Sequence, residues 1–535
     1  MSEQKKWLSH YVDAIPLEAR RKKTSMYVIA LEAWRRGIEV TFYNYIEDNK
    51  VQIRYQLSYN GRSHNFHSSK GDKVSEEAYG ICNNKSLTAA YLEKGKVPIP
   101  QGQRFNKEIN DDQIIQYARS LKYPLVIKPT NGSAGKGVIA NISDEEELKE
   151  ALEYVRYQLK LPEVIVERYI QGEEIRIYVL DGKVLGAANR RPANIIGNGE
   201  NTIQELIRIK NKERKEIPHL YFRPIRIDRE VQHSINMAGY DLNSIPKKGR
   251  RIYLRKISNV SKGGEPIDVT DQLTDAVKEI AVKAVQVVPG LTQCGVDMIV
   301  DPTMKSGVVL ELNTKAGLGS HLFPIEGVSK DIPKEIVSFY FPETVNFNTS
   351  NSNIFFDFKS IMDSLQSRSS SKVVLKSPKQ LTLKSKKVVF DRSLNQREKK
   401  WLKKQADIED IFGSVQINNK KETELIIATF NNDELDPFIS KVLGKFYGCT
   451  ILSEEVYNKP VKVGFEIIDK LNSMTIGHLE DELSVLKKEL IQLEKERDRY
   501  EKRMRQIKES RSWHLMKPIR RLFASFMKAV QKDKE

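Results

Sequence analysis

The chain is expected to be a mixed α/β (α+β) protein of several domains. Three observations lead there. Strand, loop and helix alternate through residues 76–345. Within that region Val308-Val309-Leu310-Glu311-Leu312-Asn313 reads as a strand carrying Glu311 and Asn313 two apart, downstream of Gly295-Val296-Asp297. A separate heptad pattern over 476–507 adds a long helix near the C-terminus.

Length and charge set the outer bounds. A chain of 535 residues is too long for one core, so two to four domains are expected. Hydrophobic residues make up 39% and charged residues 30%, a globular balance with a polar excess. No apolar run reaches the roughly 18 residues of a membrane span. Met1-Ser2-Glu3-Gln4-Lys5-Lys6 lacks the apolar core of a signal peptide. Cys82, Cys294 and Cys449 are too scattered for a disulfide framework or a zinc site, which fits a reducing, cytoplasmic setting. The net charge of +17 suits anionic small substrates, anionic lipid or a lysine-rich surface. With no recognisable nucleic-acid motif, nucleic acid is not an expected partner.

Taken in order, residues 1–75 carry a short α/β pattern: a helix over Tyr27 to Arg36, then strands over 38–42 and 51–57. Residues 76–345 hold nearly all the motifs. The Ser/Asn-rich stretch 346–371, interrupted by Ile354-Phe355-Phe356, reads as a linker, and 372–470 as an accessory α/β domain. Over 474–510, Leu479, Leu483, Leu486, Leu490 and Leu493 recur in steps of three and four, with Glu and Lys elsewhere. That is a coiled-coil seam, through which two chains or a partner would pair. The tail 511–535 interleaves basic and apolar residues around Trp513 and Phe523. It reads either as a membrane-surface helix, which would place the chain at the inner face of the membrane, or as a solvated cap.

The chemistry lies in four places. Side chains at i and i+2 of a strand share a face, so Glu311 and Asn313 point together, and Asp297 joins them if its strand is a neighbour. Oxygen-only ligands suit Mg²⁺ held beside nucleotide phosphates. An apolar strand delivers Lys128 into a loop with Gly132, Ser133, Gly135, Lys136 and Gly137. Such a loop cradles phosphate through its backbone N–H groups, or is a plain hairpin turn. It is not a P-loop, because the Gly-Lys-Ser/Thr ending is missing. Glu167 ends another apolar strand, and Lys85 opens a helix behind Asn84.

In this order the segments resemble the ATP-grasp superfamily over about 75–330, and within it the cyanophycin synthetase and bifunctional glutathione synthetase branch. The strings Arg190-Arg191-Pro192-Ala193, Gly199 to Ile207 and Leu254 to Gly264 carry the finer likeness. The resemblance implies an ATP-grasp fold preceded by a small N-terminal subdomain over 1–75. It implies that Lys85 and Lys128 grip the ATP phosphates under the glycine loop, with Glu167 and more weakly Glu174 at the adenine and ribose. Asp297, Glu311 and Asn313 would hold two Mg²⁺ ions, or Mn²⁺ in their stead. Arg255 would stabilise the transferred phosphoryl. Arg176 and Arg190 would bind an acidic substrate group, and Asn259, Ser261, Gly263 and Gly264 would close over the substrate.

The implied reaction phosphorylates a carboxylate with ATP and passes the acyl group to an amine, forming an amide or peptide bond. The chain departs from the family's Asn-x-x-Pro-Gly: here it is Asn313-Thr314-Lys315-Ala316-Gly317, so substrate contacts at Lys315 are expected to differ. The tail resembles those of bacterial surface-polysaccharide glycosyltransferases, which suggests envelope polysaccharide or peptide biosynthesis. The alternative is a non-catalytic ATP-binding scaffold of an envelope-assembly system.

Overall fold

The computed structural model describes residues 7–468 apart from Arg21, 48–49, 131–136, 256–257, 348–352, 379–382 and 431–434, with Glu494, Arg497 and Asp498 beyond. The coiled-coil seam, the basic tail, and Gly132, Ser133, Gly135 and Lys136 of the glycine loop lie outside the described residues.

The helix Thr24–Arg35 is apolar on every side and is buried at every position but Glu32. A helix of this kind must sit inside a core rather than on one. Strands β1 (Glu39–Glu47), β2 (Lys50–Tyr59), β3 (Arg62–His67) and β4 (Lys70–Gly71) form an antiparallel sheet beside it. Phe42, Tyr55 and Phe66 point from this sheet into the same core.

Two further sheets follow. In the first, β5 (Gly102–Phe105), β6 (Leu125–Pro129), β7 (Ile139–Ile142) and β8 (Val164–Arg168) lie in the order β5-β8-β6-β7. Helices Asp111–Leu121 and Glu145–Leu152 cover one face through Ile114, Leu148, Val164 and Val166. In the second, β9 (Glu173–Leu180) and β10 (Lys183–Arg191) are followed by an insertion. The insertion is the two-stranded ladder β11 (Asn194–Ile196) and β12 (Arg251–Tyr253) with helices Ile203–Lys215 and Arg229–Met237, and it has its own small core. The chain then returns as β13 (Glu265–Asp268), β14 (Gln293–Val300) and β15 (Gly307–Asn313), giving the order β13-β10-β9-β14-β15.

That second sheet is two-faced, as period-two alternation requires. Ile175, Ile177, Val179, Val296, Met298 and Val300 are buried against helices Glu76–Asn83, Lys85–Lys94 and Asp275–Gln286. Burying each such side chain contributes roughly 1.5–3 kcal/mol. The residues between them carry charge to the opposite face.

The stretch expected as a linker is in part structured. After helix Ile332–Tyr340, strand β16 (Ile354–Phe355) and helix Phe358–Gln366 pack into the N-terminal core, with Phe356, Phe358, Ile361, Met362 and Leu365 buried. Serine and asparagine dominate the composition, but Phe358, Ile361, Met362 and Leu365 share one helical face. Strand β17 (Lys372–Leu375), expected in the accessory domain, pairs instead with β1, Val40 opposite Leu375.

The accessory unit comprises β18 (Lys384–Phe390), β19 (Phe412–Ile417), β20 (Thr423–Thr429), β21 (Ile451–Val456), β22 (Val461–Lys462) and β23 (Phe465–Ile468). Helices Gln396–Ile408 and Leu435–Lys445 cover one face. The order β21-β18-β20-β19, with helices after β18 and β20, is a split β-α-β sandwich. Its β22 runs parallel to β16, tying it to the N-terminal unit.

Phe358 touches Tyr27, Phe42 and Phe356 at ring-centroid distances of 5.0, 5.8 and 6.3 Å. Phe358→Ala is expected to destabilise the N-terminal unit by about 3–5 kcal/mol. A lowered urea midpoint, followed by tryptophan fluorescence, checks this.

Candidate active site

Strand register assembles the charged face of the second sheet. Arg176 on β9 lies opposite Asp297 on β14, which lies opposite Glu311 on β15, and Gly295 lies opposite Asn313. The expectation that Asp297, Glu311 and Asn313 share one face is therefore met by two adjacent antiparallel strands. Asp297 is buried and Glu311 is exposed. Asn313 Oδ1 accepts a hydrogen bond from the Lys315 backbone N–H at 3.0 Å.

The arginines expected to face an acidic substrate are engaged with the sheet's own acids. Arg176 donates through Nε and Nη2 to the two carboxylate oxygens of Asp297 at 2.7 and 2.6 Å. Arg190 Nη2 donates to Asp297 Oδ1 at 3.1 Å, and its Nη1 pairs with Glu174. Burial pushes the Asp297 carboxyl up, but the two guanidinium groups outweigh it and hold the group below the usual range. For Glu174 burial wins, and its carboxyl lies above the usual range despite Arg190. Removing one partner of such a buried pair costs about 3–5 kcal/mol.

The first sheet contributes the opposite wall. Lys128 Nζ donates to Glu167 Oε1 at 2.5 Å, with both side chains on the face turned away from the covering helices. Gly102 allows this packing: a Cβ there would fall 2.5 Å from Glu167 Cβ. Lys85 opens its helix behind the Asn84 cap, whose Oδ1 accepts from the Ser86 and Leu87 N–H groups. Burial and the neighbouring Lys128 lower the Lys85 ammonium, while Glu311 and Glu167 oppose the shift. Lys85 thus stands within electrostatic reach of both sheets. Gly137, where the glycine loop re-enters the described residues, has φ +75°, a conformation that favours glycine.

Arg255, expected at the transferred phosphoryl, has its guanidinium engaged by the chain's own acids. It is buried at the root of the insertion, where its Nη2 donates to Asp228 at 2.6 Å, its Nη1 pairs with Glu230, and its Nε donates to the Lys262 carbonyl at 3.1 Å. Asn259 and Ser261 form a capped turn in which Asn259 Oδ1 accepts from the Ser261 N–H at 2.8 Å. Gly263 closes that turn at φ +102°, and the Gly264 carbonyl accepts from Arg214 Nη1 at 3.2 Å. Gly263 and Gly264 are buried, while Ser261 and Lys262 are exposed at the tip of the turn.

The sequence reading passed over several residues that the fold brings to the site. His219, buried on the insertion, meets Ser320 Oγ through Nε2 at 3.0 Å and stands within electrostatic reach of Arg176. His321 is buried, and burial with the charges of Arg176 and Arg190 lowers its pKa to about 3. Tyr79, Lys70 and His67 gather around Lys315, as described below. No local motif marks them, because their proximity arises from distant parts of the chain.

Two sheets, one carrying Lys128 and Glu167 and the other a carboxylate row, with Lys85 coupled to both, make up an ATP-grasp fold. Residues 82–215 match the RimK-like ATP-grasp domain. The chain is 32% identical to the cyanophycin synthetase of Trichormus variabilis over 325 residues, 59% of this chain and 35% of that protein. It is 30% identical to the glutathione biosynthesis bifunctional protein GshAB of Clostridium perfringens over 337 residues, 59% of this chain and 41% of that protein. Among solved structures, a bifunctional glutathione synthetase from Pasteurella multocida aligns at 26% identity and a TM-score of 0.44, covering 56% of this chain and 42% of that one. The chain thus spans well under half the length of these relatives. No helix among the described residues is long and apolar enough to cross a membrane.

Burial and the adjacent Arg223 and Arg214 keep His219 neutral well below the ordinary histidine range. The unfolded chain takes up a proton near pH 6.5 that this folded site does not, so stability present above that pH is lost as pH falls. The slope is about 1.4 kcal/mol per pH unit for one such proton. His219→Gln is expected to flatten the pH dependence of thermal unfolding between pH 6.5 and 4.5 by that slope.

Proposed function

We propose that this chain is an ATP- and Mg²⁺-dependent ligase that joins a carboxylate to an amine through an acyl phosphate. The observation that carries the reading is the convergence of charge from both sheets on Lys85, at its helix start: Lys128 and Glu167 from one sheet and Glu311 from the other. A nucleotide laid between the sheets would meet lysines at its phosphates and Glu167 at its adenine and ribose end.

The donor types present suit a hard divalent cation, which would share Asp297 with Arg176 and Arg190. Asp297, Glu311 and Asn313 offer only oxygen donors on neighbouring strands, the donor set Mg²⁺ prefers beside phosphates. Bound there, the ion supplies neutralisation of phosphate charge. Two ions, and Mn²⁺ as a substitute, belong to this proposal. Lys85 and Lys128 attract the phosphate oxygens and hold the terminal phosphoryl for in-line transfer to the carboxylate. Positioning and electrostatic stabilisation carry most of such a transfer. The carboxylate oxygen attacks phosphorus, ADP leaves, and an amine displaces phosphate from the acyl carbon, releasing one proton. Arg255 is held by Asp228 and Glu230, so this reading gives the phosphoryl charge to the two lysines instead.

The sequence relatives support this class of chemistry, one being a cyanophycin synthetase and the other a glutathione-biosynthesis protein. Pairing of chains through the heptad seam, contact of the tail with the inner face of a membrane, and an envelope setting are further parts of the proposal and rest on sequence alone.

ADP release by the full chain, screened over amino acids and sugar acids with paired amines, should require both substrates. Glu311→Ala and Lys128→Ala should each lower the rate on the order of 10²-fold. Full activity in Glu311→Ala would overturn the reading.

A further inference from the structure

The cations first expected at an acidic substrate group are not equivalent in the fold. Arg176 and Arg190 are matched by Asp297 and Glu174. Lys315, on the loop that leaves β15, has no carboxylate partner among the described residues. Its loop is fixed in place: the Ala316 carbonyl accepts from Ser69 Oγ at 2.8 Å, and the Leu318 N–H donates to Ser25 Oγ at 3.1 Å. A Cβ on Gly295 would fall 2.4 Å from Ala316 Cβ, so the loop lies tight on β14.

Held this way, the Lys315 side chain extends across the N-terminal edge of the site. Its Nζ donates to Tyr79 Oη at 2.7 Å and stands 4.6 Å from the ring centroid. Lys70 Nζ lies 4.8 Å from the same ring and pairs with Glu76 at 2.7 Å. Glu76 is largely exposed, so solvent screens that pair. His67 is half-buried next to the cluster. Burial and the charges of Lys315, Arg54 and Lys70 lower its pKa to about 4, with only Glu47 opposing, so the neighbourhood is electropositive. Two ammonium groups on one phenol ring gain cation–π attraction but repel each other. An anion bound between them relieves that repulsion. Lys315 itself follows two residues after Asn313, at the end of the strand that carries the proposed metal ligands.

We propose that Lys315, oriented by Tyr79 and backed by Lys70, is an anion subsite that selects a substrate bearing a carboxylate beyond the one that reacts. This rests on the ligase reading and sharpens it: one of the two substrates is a dicarboxylate, or an amine with a free carboxylate. A planar carboxylate takes one charge-assisted bond from Lys315 and a second from Lys70 or the Tyr79 hydroxyl.

The test compares matched substrates on the full chain with ATP and Mg²⁺. Acyl donors are paired as glutarate against its monoamide, and amines as amino acids against their amides, with ADP release as readout. The wild type should favour the carboxylate member of one pair at least tenfold in kcat/KM, and the pair that shows it identifies which substrate carries the group. Lys315→Ala should reduce that preference to below twofold by raising KM with little change in kcat. Lys315→Arg should keep most of it, and Tyr79→Phe should give an intermediate value. An unchanged preference in Lys315→Ala, or no preference in the wild type, overturns the subsite while leaving the ligase reading intact.

Absence of turnover on every pair would instead count against the ligase reading. The subsite is then decided by binding alone. With ADP and Mg²⁺ present, glutarate should raise the wild-type Tm more than butyrate does, and that difference should vanish in Lys315→Ala. Equal shifts from the two acids, or a difference that survives in Lys315→Ala, overturn the subsite.

Discussion

The pairing of Arg176 with Asp297 sets the frame for the rest of the site. Two oppositely charged side chains sit in adjacent strands at the same register, both withdrawn from solvent, with both carboxylate oxygens taken. A one-residue slip of β14 against β9 would send Asp297 to the apolar face and expose Val296 or Met298. The ion pair and the hydrophobic layer under it therefore enforce the same register. Through that register Glu311 and Asn313 come to lie beside Asp297. The nucleotide wall across the cleft is built from local pieces by contrast: a capped helix start for Lys85, and a two-strand contact for Lys128 and Glu167.

Much of this was legible from the sequence because the signals were short-range. Strand alternation placed Glu311 with Asn313, the Asn84 cap announced the helix of Lys85, and Glu167 ended an apolar run. What the sequence leaves open has a common cause. Arg176, Arg190 and Arg255 are each chemically suited to bind an anion, and sequence cannot tell whether the anion is a substrate or one of the chain's own carboxylates. Only the fold shows Asp297, Glu174, Asp228 and Glu230 beside them. Likewise 346–371 reads as linker because Ser and Asn outnumber its apolar residues, yet Phe358, Ile361, Met362 and Leu365 fall on one buried stripe. Lys315 is the instructive case: it departs from the expected loop, and the fold gives it aromatic and basic neighbours from the N-terminal sheet and helix.

The architecture divides labour by distance from the cleft. The carboxylate row and Lys128 lie on different sheets, with Lys85 at a helix start coupled to both, while the insertion is tied to the second sheet by Asn194 and Lys210, which reach Glu265 on β13, and by His219 at Ser320. The accessory split β-α-β unit contributes none of the candidate site residues, and its attachment runs through β16 and β22.

That attachment bears on how the chain is made. The N-terminal sheet takes its outer strand from Lys372–Leu375, and its core takes aromatic residues from 356–358, so the first unit begun on the ribosome is among the last to be completed. Closing a loop from position 40 to position 375 costs little more entropy than closing one half as long, since the penalty grows only with the logarithm of length. The cost is instead one of time: until 375 emerges, the β1 edge and the faces of Tyr27, Trp34 and Phe42 stand open. During synthesis this protein therefore presents an unpaired strand and an aromatic surface for as long as the whole catalytic region takes to translate. Cleaving the chain after the helix Ile332–Tyr340 would make that transient state permanent.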